Sequence, residues 1–123
     1  SSGRYVLAGL EMKHRNADDI IITDIDGNVS ESLQANIFWI KNNTIYTPSV
    51  ETGCIEGIMR KQIQNYCNIN NIEFKPGFYN ITALEKSDIV FAGNIAGLTP
   101  FEQIEKVKFN IENELFDRLK KNL

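Results

Sequence analysis

The residues around Gly57 have the pattern of an anion site at the start of a helix. Gly57 lies between a loop marked by Pro48 and a run from Ile58 to Asn68 whose apolar spacing predicts a helix. Glycine lets a ligand approach the backbone closely. The first N–H groups of a helix lack partners within it, so such helix starts bind phosphate. One glycine is far short of a phosphate-loop motif, so a simple turn into a core helix also fits.

The predicted helix has an apolar face and a polar remainder. Ile58, Ile63 and Tyr66 fall on one face, which we expect to pack on the core. Arg60 falls mostly outside this apolar face. Its long basic side chain could contact a phosphate, but we expect it to point to solvent or to pair with an acid.

Three other residues could carry chemistry, although each also has a purely structural interpretation. Glu31 follows a predicted turn, at a strand end where a surface carboxylate is common. Asn94 follows a predicted buried strand, where asparagine often forms turns. Tyr5 lies beside apolar residues and fits a core position equally well.

The histidine and cysteine content argues against several kinds of site. His14, the one histidine, lies between Lys13 and Arg15, so we expect it on a solvated face. Cys54 and Cys67 match no zinc spacing and are too few for a disulfide framework, so we interpret them as reduced thiols. Neither a metal site nor a Ser-His or Cys-His hydrolase is expected.

The composition indicates one cytoplasmic domain. The chain has 123 residues, of which 42% are apolar, enough for a real core. Its formal charge of −3 is spread along the sequence, which argues against nucleic acid as the main partner. We find no apolar run of the ~20 residues that a membrane span needs, and no signal peptide is visible.

The local patterns also predict the elements that carry these residues. In the first half we expect an amphipathic helix from Ser1 to about Arg15, followed by a buried strand over Asp19–Thr23. A tight turn at Asp26–Asn28 should lead to a strand that begins at Val29. A hairpin of Asn36–Ile40 and Thr44–Tyr46 should follow. After the helix from Ile58 we expect a strand over Ile72–Phe74 and a turn at Pro76-Gly77. A short helix over Thr82–Lys86, capped by Asn80 or Thr82, should come next. The remaining predicted elements are a buried strand over Asp88–Ala92, a strand over Ile104–Phe109 and a helix over Ile111–Lys120. This order favours a mixed α/β (α+β) fold, with a mixed sheet curled against helices.

Three short motifs together resemble the class IV family of pyridoxal-phosphate aminotransferases. They are Asn36–Ile40 (NIFWI), Ile45–Pro48 (IYTP) and Gly57–Arg60 (GIMR). Each is weak alone, and the similarity runs from Ser1 to about Phe101. Within the family the motifs are most similar to the aminodeoxychorismate lyase branch, because the branched-chain aminotransferases more often carry GITR. The resemblance implies the pseudo-barrel of the larger, C-terminal domain of that family.

The resemblance also implies a role for each candidate residue. Glu31 would meet the pyridine nitrogen of pyridoxal 5'-phosphate and keep it protonated. Gly57, Ile58 and Met59 would offer backbone N–H groups to the cofactor phosphate, to which Asn94 would also donate. Met59 lacks the hydroxyl of threonine-bearing relatives, which favours the lyase branch.

Weaker assignments follow for three residues. Tyr5 matches a tyrosine that lies near the phenolic oxygen of the cofactor in several aminotransferases, although the lyase branch need not have it. Ile95 and Ala96 would contact the substrate carboxylate through backbone N–H groups.

The expected Schiff-base lysine has no match among the lysines of this chain. When the segment Ser1–Tyr5 is placed on the family pattern, the lysine falls one residue before Ser1. We therefore expect the catalytic lysine, and an N-terminal domain, before Ser1, and no catalytic residue within the chain. A cloning remnant at Ser1–Gly3 is the less favoured explanation.

The activity implied is the elimination of pyruvate from 4-amino-4-deoxychorismate to give 4-aminobenzoate, a folate precursor. A branched-chain or D-amino-acid aminotransferase is the alternative within the family. An inactive relative that acts as an interaction domain is the alternative from another class. The resemblance further implies a homodimer and a small-molecule amino substrate.

Overall fold

The computed structural model describes residues 5–14 and 17–123, with side chains from Asp18 onward. The described strands are β1 (Tyr5–His14), β2 (Ala17–Asp24), β3 (Val29–Ser32), β4 (Asn36–Lys41), β5 (Thr44–Pro48), β6 (Phe74–Gly77), β7 (Ile89–Asn94), β8 (Gly97–Pro100), β9 (Gln103–Ile104) and β10 (Val107–Lys108). The described helices are α1 (Ile58–Ile69), α2 (Ile81–Glu85), α3 (Glu114–Asn122) and a 3₁₀ helix at Val50–Thr52.

The strands form two five-stranded sheets, with the orders β10-β9-β1-β2-β3 and β6-β5-β4-β7-β8. The β5–β6 pair is parallel, and the other described pairs are antiparallel. Successive residues of a strand point to opposite faces of its sheet. Consecutive residues of β4 and β7 are buried, so the second sheet is covered on both faces along these strands. Phe38 and Ile40 of β4 pack towards α1 and α3, whereas Ile37 and Trp39 pack towards α2 and the first sheet. This arrangement confirms the predicted mixed α/β fold.

The predicted helix over Ser1–Arg15 is wrong, because residues 5–14 form β1. This strand pairs antiparallel with β2, in a register that joins Met12 to Asp19. The register shifts between Leu7 and Leu10, so the apolar residues do not alternate regularly along the strand. Their spacing resembles that of a helix, and long-range pairing with β2 and β9 overrides it.

Several local predictions are confirmed. Asn42 and Asn43 have φ of 51° and 59°, as a tight two-residue hairpin turn requires. Gly27, with φ of 83°, forms the predicted turn before β3. The Asn80 side chain caps α2 by accepting from the Thr82 N–H at 3.1 Å.

Three boundaries differ from the prediction. Pro76 and Gly77 belong to β6 rather than to a turn, and proline is tolerated there because β6 lies at the edge of its sheet. The predicted strand over Ile104–Phe109 is split into β9 and β10 by a turn at Glu105, whose φ is 52°. The last helix begins later than predicted, because the Asn113 side chain caps it at the Phe116 N–H.

Candidate functional site

A cleft of about 300 Å³ opens where β3, β4, β7 and the start of α1 come together. Six residues selected from the sequence line it: Glu31, Gly57, Ile58, Met59, Asn94 and Ile95. They come from three separate parts of the chain, and the fold brings them to one place. Their roles in binding stay predictions.

The start of α1 forms one wall of this cleft. Gly57 has extended backbone angles, φ −82° and ψ 172°, and no side chain caps the helix at this residue. The N–H groups of the first turn, at Ile58 and Met59, have no partner within a helix and carry partial positive charge. This end of α1 can therefore bind an anion.

Two glycines that line the cleft lie close to neighbouring side chains. A Cβ at Gly93 would lie 2.9 Å from Phe38 Cε1 and 3.0 Å from Met59 Cγ. A Cβ at Gly57 would lie 3.2 Å from Asn36 Oδ1. A side chain at Gly93 would therefore displace Phe38 or Met59, and a side chain at Gly57 would press on Asn36.

Glu31 lies on β3 on the opposite side of the cleft. Its Oε1 accepts a hydrogen bond from the Ile55 N–H at 3.0 Å. The carboxylate is half-buried and keeps acceptor capacity on its other oxygen. It can therefore bind a protonated ligand nitrogen without giving up its contact with Ile55.

The helix face predicted to be apolar needs a correction. Ile63 is buried as expected, but Ile58 is 67% exposed and Arg60 is 4% exposed. Arg60 Nη1 donates to the Pro48 carbonyl at 2.6 Å and lies 3.4 Å from Thr47 Oγ1. The predicted solvent exposure of Arg60 is therefore wrong. The guanidinium ties α1 to the segment that precedes it.

The two cysteines are buried free thiols, and their reduced state stays a prediction. Burial raises the pKa of the Cys67 thiol to about 11. Burial also raises the pKa of the Cys54 thiol, with the Glu31 charge adding to the rise and with Thr52 and Arg60 opposing it. Both thiols are therefore neutral and poor nucleophiles near neutral pH.

Asn94 ends β7 at the rim of the cleft. Its Oδ1 accepts from the Ala96 N–H at 2.8 Å, and its Nδ2 lies 3.4 Å from the Gln34 carbonyl. One amide hydrogen is therefore available to a ligand. Ala96 is not among the residues that line the cleft, and its N–H already has a partner.

Asn36 belongs to the site but is not among the site residues predicted from the sequence. It begins β4, lines the cleft and donates from Nδ2 to the Ile55 carbonyl at 2.6 Å. The sequence shows only a polar residue at the start of an apolar strand. It does not indicate which group the side chain contacts.

The expectations for the side chains of Tyr5 and His14 stay predictions. The side chain of Tyr5 lies outside the described residues, as does that of His14. No lysine is found among the residues that line the cleft within the described part of the chain.

The described residues contain no group of three or more histidine, cysteine, aspartate or glutamate side chains placed to hold a metal ion. Every helix between residues 17 and 123 is too short or too polar to cross a membrane.

Comparison with known families identifies the class of protein. The model of the amino-transferase class IV family matches residues 1–104. The chain belongs to this family.

The relatives agree with this assignment. The chain is 34% identical over 97 residues to an aminodeoxychorismate lyase of Bacillus subtilis, covering 78% of the chain and 33% of the relative. It is 28% identical over 123 residues to an aminodeoxychorismate lyase of Vibrio harveyi, covering 96% of the chain and 45% of the relative. The chain thus spans between a third and a half of the length of these relatives.

Solved structures show the same fold. A candidate 4-amino-4-deoxychorismate lyase of Legionella pneumophila superposes with a TM-score of 0.81 at 28% identity, covering 85% of this chain and 39% of that one. The branched-chain aminotransferase of Escherichia coli superposes with a TM-score of 0.79 at 23% identity, covering 84% of this chain and 35% of that one.

Proposed function

We propose that this chain is the cofactor-binding domain of a pyridoxal-phosphate enzyme that converts 4-amino-4-deoxychorismate to 4-aminobenzoate and pyruvate. The observation that carries the proposal is the single cleft lined by both the Glu31 carboxylate and the uncapped start of α1. Besides a Schiff-base lysine, this cofactor needs an acid for its ring nitrogen and an anion site for its phosphate, and the cleft offers both.

The residues present fit pyridoxal 5'-phosphate. Gly57 lines the cleft at the start of α1 and carries no side chain, so a phosphate can approach the backbone there closely. The N–H groups of Ile58 and Met59 bind the phosphate, and Asn94 Nδ2 donates to it. Glu31 holds a proton on the ring nitrogen. When bound, the cofactor supplies a ring that stabilises negative charge on the substrate carbon.

The lyase is preferred over an aminotransferase on two grounds. Met59 offers no hydroxyl to the phosphate, as in the lyase branch. The relatives from Bacillus subtilis and Vibrio harveyi are both aminodeoxychorismate lyases. Elimination of pyruvate requires no amino acceptor, so the enzyme works with one substrate.

The proposal needs a Schiff-base lysine, which we predict at the position immediately before Ser1. The test is borohydride reduction of the natural full-length protein, followed by intact mass and peptide mapping. We expect a reduced cofactor adduct on the lysine that precedes Ser1. Absence of an adduct anywhere in the protein would contradict the cofactor assignment and favour a binding domain without chemistry.

The substrate is tested separately by measuring pyruvate release. The full-length protein should release pyruvate from 4-amino-4-deoxychorismate without an added amino acceptor. A protein that forms the adduct but releases no pyruvate, and transfers the amino group of valine or leucine to a 2-oxo acid, would be an aminotransferase. This second candidate is supported by 32% identity over 111 residues to a branched-chain aminotransferase of Pseudomonas aeruginosa.

The proposal extends to the assembly and its location. We propose that the protein is a homodimer, as the family resemblance implies. We also propose that it is cytoplasmic, because its two buried thiols are free. Light scattering of the full-length protein at micromolar concentration should give twice the mass of its chain. A monomer at all concentrations would remove this part of the proposal and leave the cofactor assignment intact.

A further inference from the structure

Asn36 contacts the segment that separates the two walls of the cleft. It is 8% exposed, and its Nδ2 donates to the Ile55 carbonyl at 2.6 Å. Its Oδ1 faces Gly57, where a Cβ would come within 3.2 Å. The Ile55 carbonyl also accepts from the Gly57 N–H at 3.1 Å, so the bond from Asn36 holds the short stretch from Ile55 to Gly57, immediately before α1, at its first residue.

The backbone of Ile55 also contacts Glu31. Its N–H donates to Glu31 Oε1 at 3.0 Å, while its carbonyl accepts from Asn36. Among the side chains described, from residue 18 onward, no second hydrogen bond fixes the Glu31 carboxylate. The position of this carboxylate therefore depends on where Ile55 is held.

We propose that Asn36 is a positioning residue that fixes the Glu31 carboxylate and the start of α1 at once, by holding the Ile55–Gly57 stretch. This inference rests on the proposed function and deepens it, because Glu31 and α1 are the two features that would bind the cofactor. Asn36 sets the distance between them without needing to touch the ligand.

The physical reason is preorganisation. A carboxylate held by one backbone N–H keeps its orientation only if that backbone is itself fixed. A buried asparagine amide bonded at 2.6 Å is such a support, and its loss leaves the Ile55 carbonyl with only the local Gly57 N–H, at 3.1 Å. The Ile55 side chain is 66% exposed, so packing does little to hold this residue.

The first test uses the full-length protein without cofactor and measures amide hydrogen exchange. In Asn36→Ala we expect the Ile55 amide to exchange about tenfold faster, because its contact with Glu31 loosens. The amide of Ile63, in the core of α1, should not change. Asn36→Asp keeps the shape of the side chain but removes the donor, and should act alike if the alanine variant folds poorly.

The matched control is Asn68→Ala, which removes an exposed asparagine elsewhere on α1. It should leave the Ile55 amide unchanged. Unchanged exchange at Ile55 in both Asn36 variants would overturn the proposal. Equal acceleration at Ile55 and Ile63 would overturn it as well, because Asn36 would then act on global stability alone.

The second test is a double-mutant cycle on the dissociation constant of pyridoxal 5'-phosphate. We expect Asn36→Ala to weaken binding about tenfold when Glu31 is present, and by a smaller factor of about threefold in the Glu31→Ala background, where only its effect on the start of α1 is left. Equal effects in both backgrounds would show that Asn36 does not act through Glu31. A wild-type protein that binds no cofactor would contradict the proposed function, whereas the exchange measurement would still decide the role of Asn36.

Discussion

Two segments border the cleft, and they are held in different ways. Residues 47–57, which run from the end of β5 to the start of α1, are fixed by buried polar contacts. Thr47 Oγ1 donates to the Ile37 carbonyl at 2.8 Å, and Arg60 Nη1 reaches the Pro48 carbonyl at 2.6 Å. Thr47, Thr52 and Arg60 are 0%, 1% and 4% exposed, so these contacts are shielded from water.

The turn between β7 and β8 is held much more loosely. Asn94 bonds within the turn to Ala96, and its described side-chain link to another segment is 3.4 Å, to the Gln34 carbonyl. Ile95 at its tip is 94% exposed. The turn rests on the pairing of β7 with β8 and little else.

The difference separates two kinds of contribution to one site. Buried polar groups, hydrogen-bonded except for the Arg60 Nε, keep the start of α1 in place before a ligand arrives, which is how backbone N–H groups become effective. An exposed turn can contribute contacts to a ligand without supporting the fold. Changes in the first segment should therefore affect stability, and changes in the turn should affect binding.

The largest effect is expected at Arg60. Arg60→Ala should lower the free energy of unfolding by about 3 kcal/mol, because it leaves the Pro48 carbonyl and its surroundings without a buried donor. Urea unfolding of the cofactor-free protein measures this. Lys61→Ala, the exposed basic neighbour, should change stability by less than about 0.5 kcal/mol. Equal effects of the two variants would remove the distinction between the segments.

The next effect is expected at Glu31. Glu31→Gln keeps an oxygen that can accept from Ile55 but loses the charge, so turnover should fall about a hundredfold, or about 2.7 kcal/mol. Stability should change by less than about 0.5 kcal/mol. The matched control is Glu51→Gln on the 3₁₀ helix. Unchanged turnover would show that the charge of Glu31 has no role in the chemistry.

A smaller effect is expected at Asn94. Asn94→Ala should weaken binding of pyridoxal 5'-phosphate about tenfold, because one donor to the phosphate is lost. Fluorescence titration measures the dissociation constant. Asn110→Ala removes a similar local contact, to the Glu112 N–H at 3.0 Å, and should not alter binding. A loss of stability without a loss of affinity would mean that the turn supports the fold, as the buried segment does, rather than the ligand.

The smallest effect is expected at Ile95. Ile95→Ala should change the KM of the substrate by less than about threefold and leave kcat unchanged, because the contact predicted for Ile95 comes from its backbone N–H, which alanine keeps. Thermal unfolding should not shift. Ile69→Ala, at a similarly exposed position at the end of α1, should change neither quantity. A change in kcat at Ile95 would place it closer to the chemistry than proposed.

Much of the local structure could be predicted because its causes are local. Asn42 and Asn43 tolerate positive φ, and Asn80 carries its own capping oxygen, so each element follows from a few neighbouring residues. β1 could not be predicted in this way. Its pairing with β9 joins Met12 to Ile104, and no short window of sequence contains that contact.

The residues of the candidate site also differ in whether local sequence could predict them. Glu31, Gly57 and Asn94 could be selected because their residue types match motifs, and the fold brings all three to one cleft. Asn36 was missed because its partner, the Ile55 carbonyl, is 19 residues away along the chain. The spacing of the helix assigned Arg60 to a polar face, but its burial depends on the Pro48 carbonyl of the preceding segment.

The sequence by itself determined the family, the mixed fold and the residue types that a phosphate and a ring nitrogen require. These depend on short-range propensities and on motifs in which residue identity carries the information. Only the tertiary structure decided which groups meet across the cleft and which polar side chains are buried. A hydrogen bond such as that from Ile55 to Glu31 exists only when two segments distant in sequence are packed within 3.0 Å.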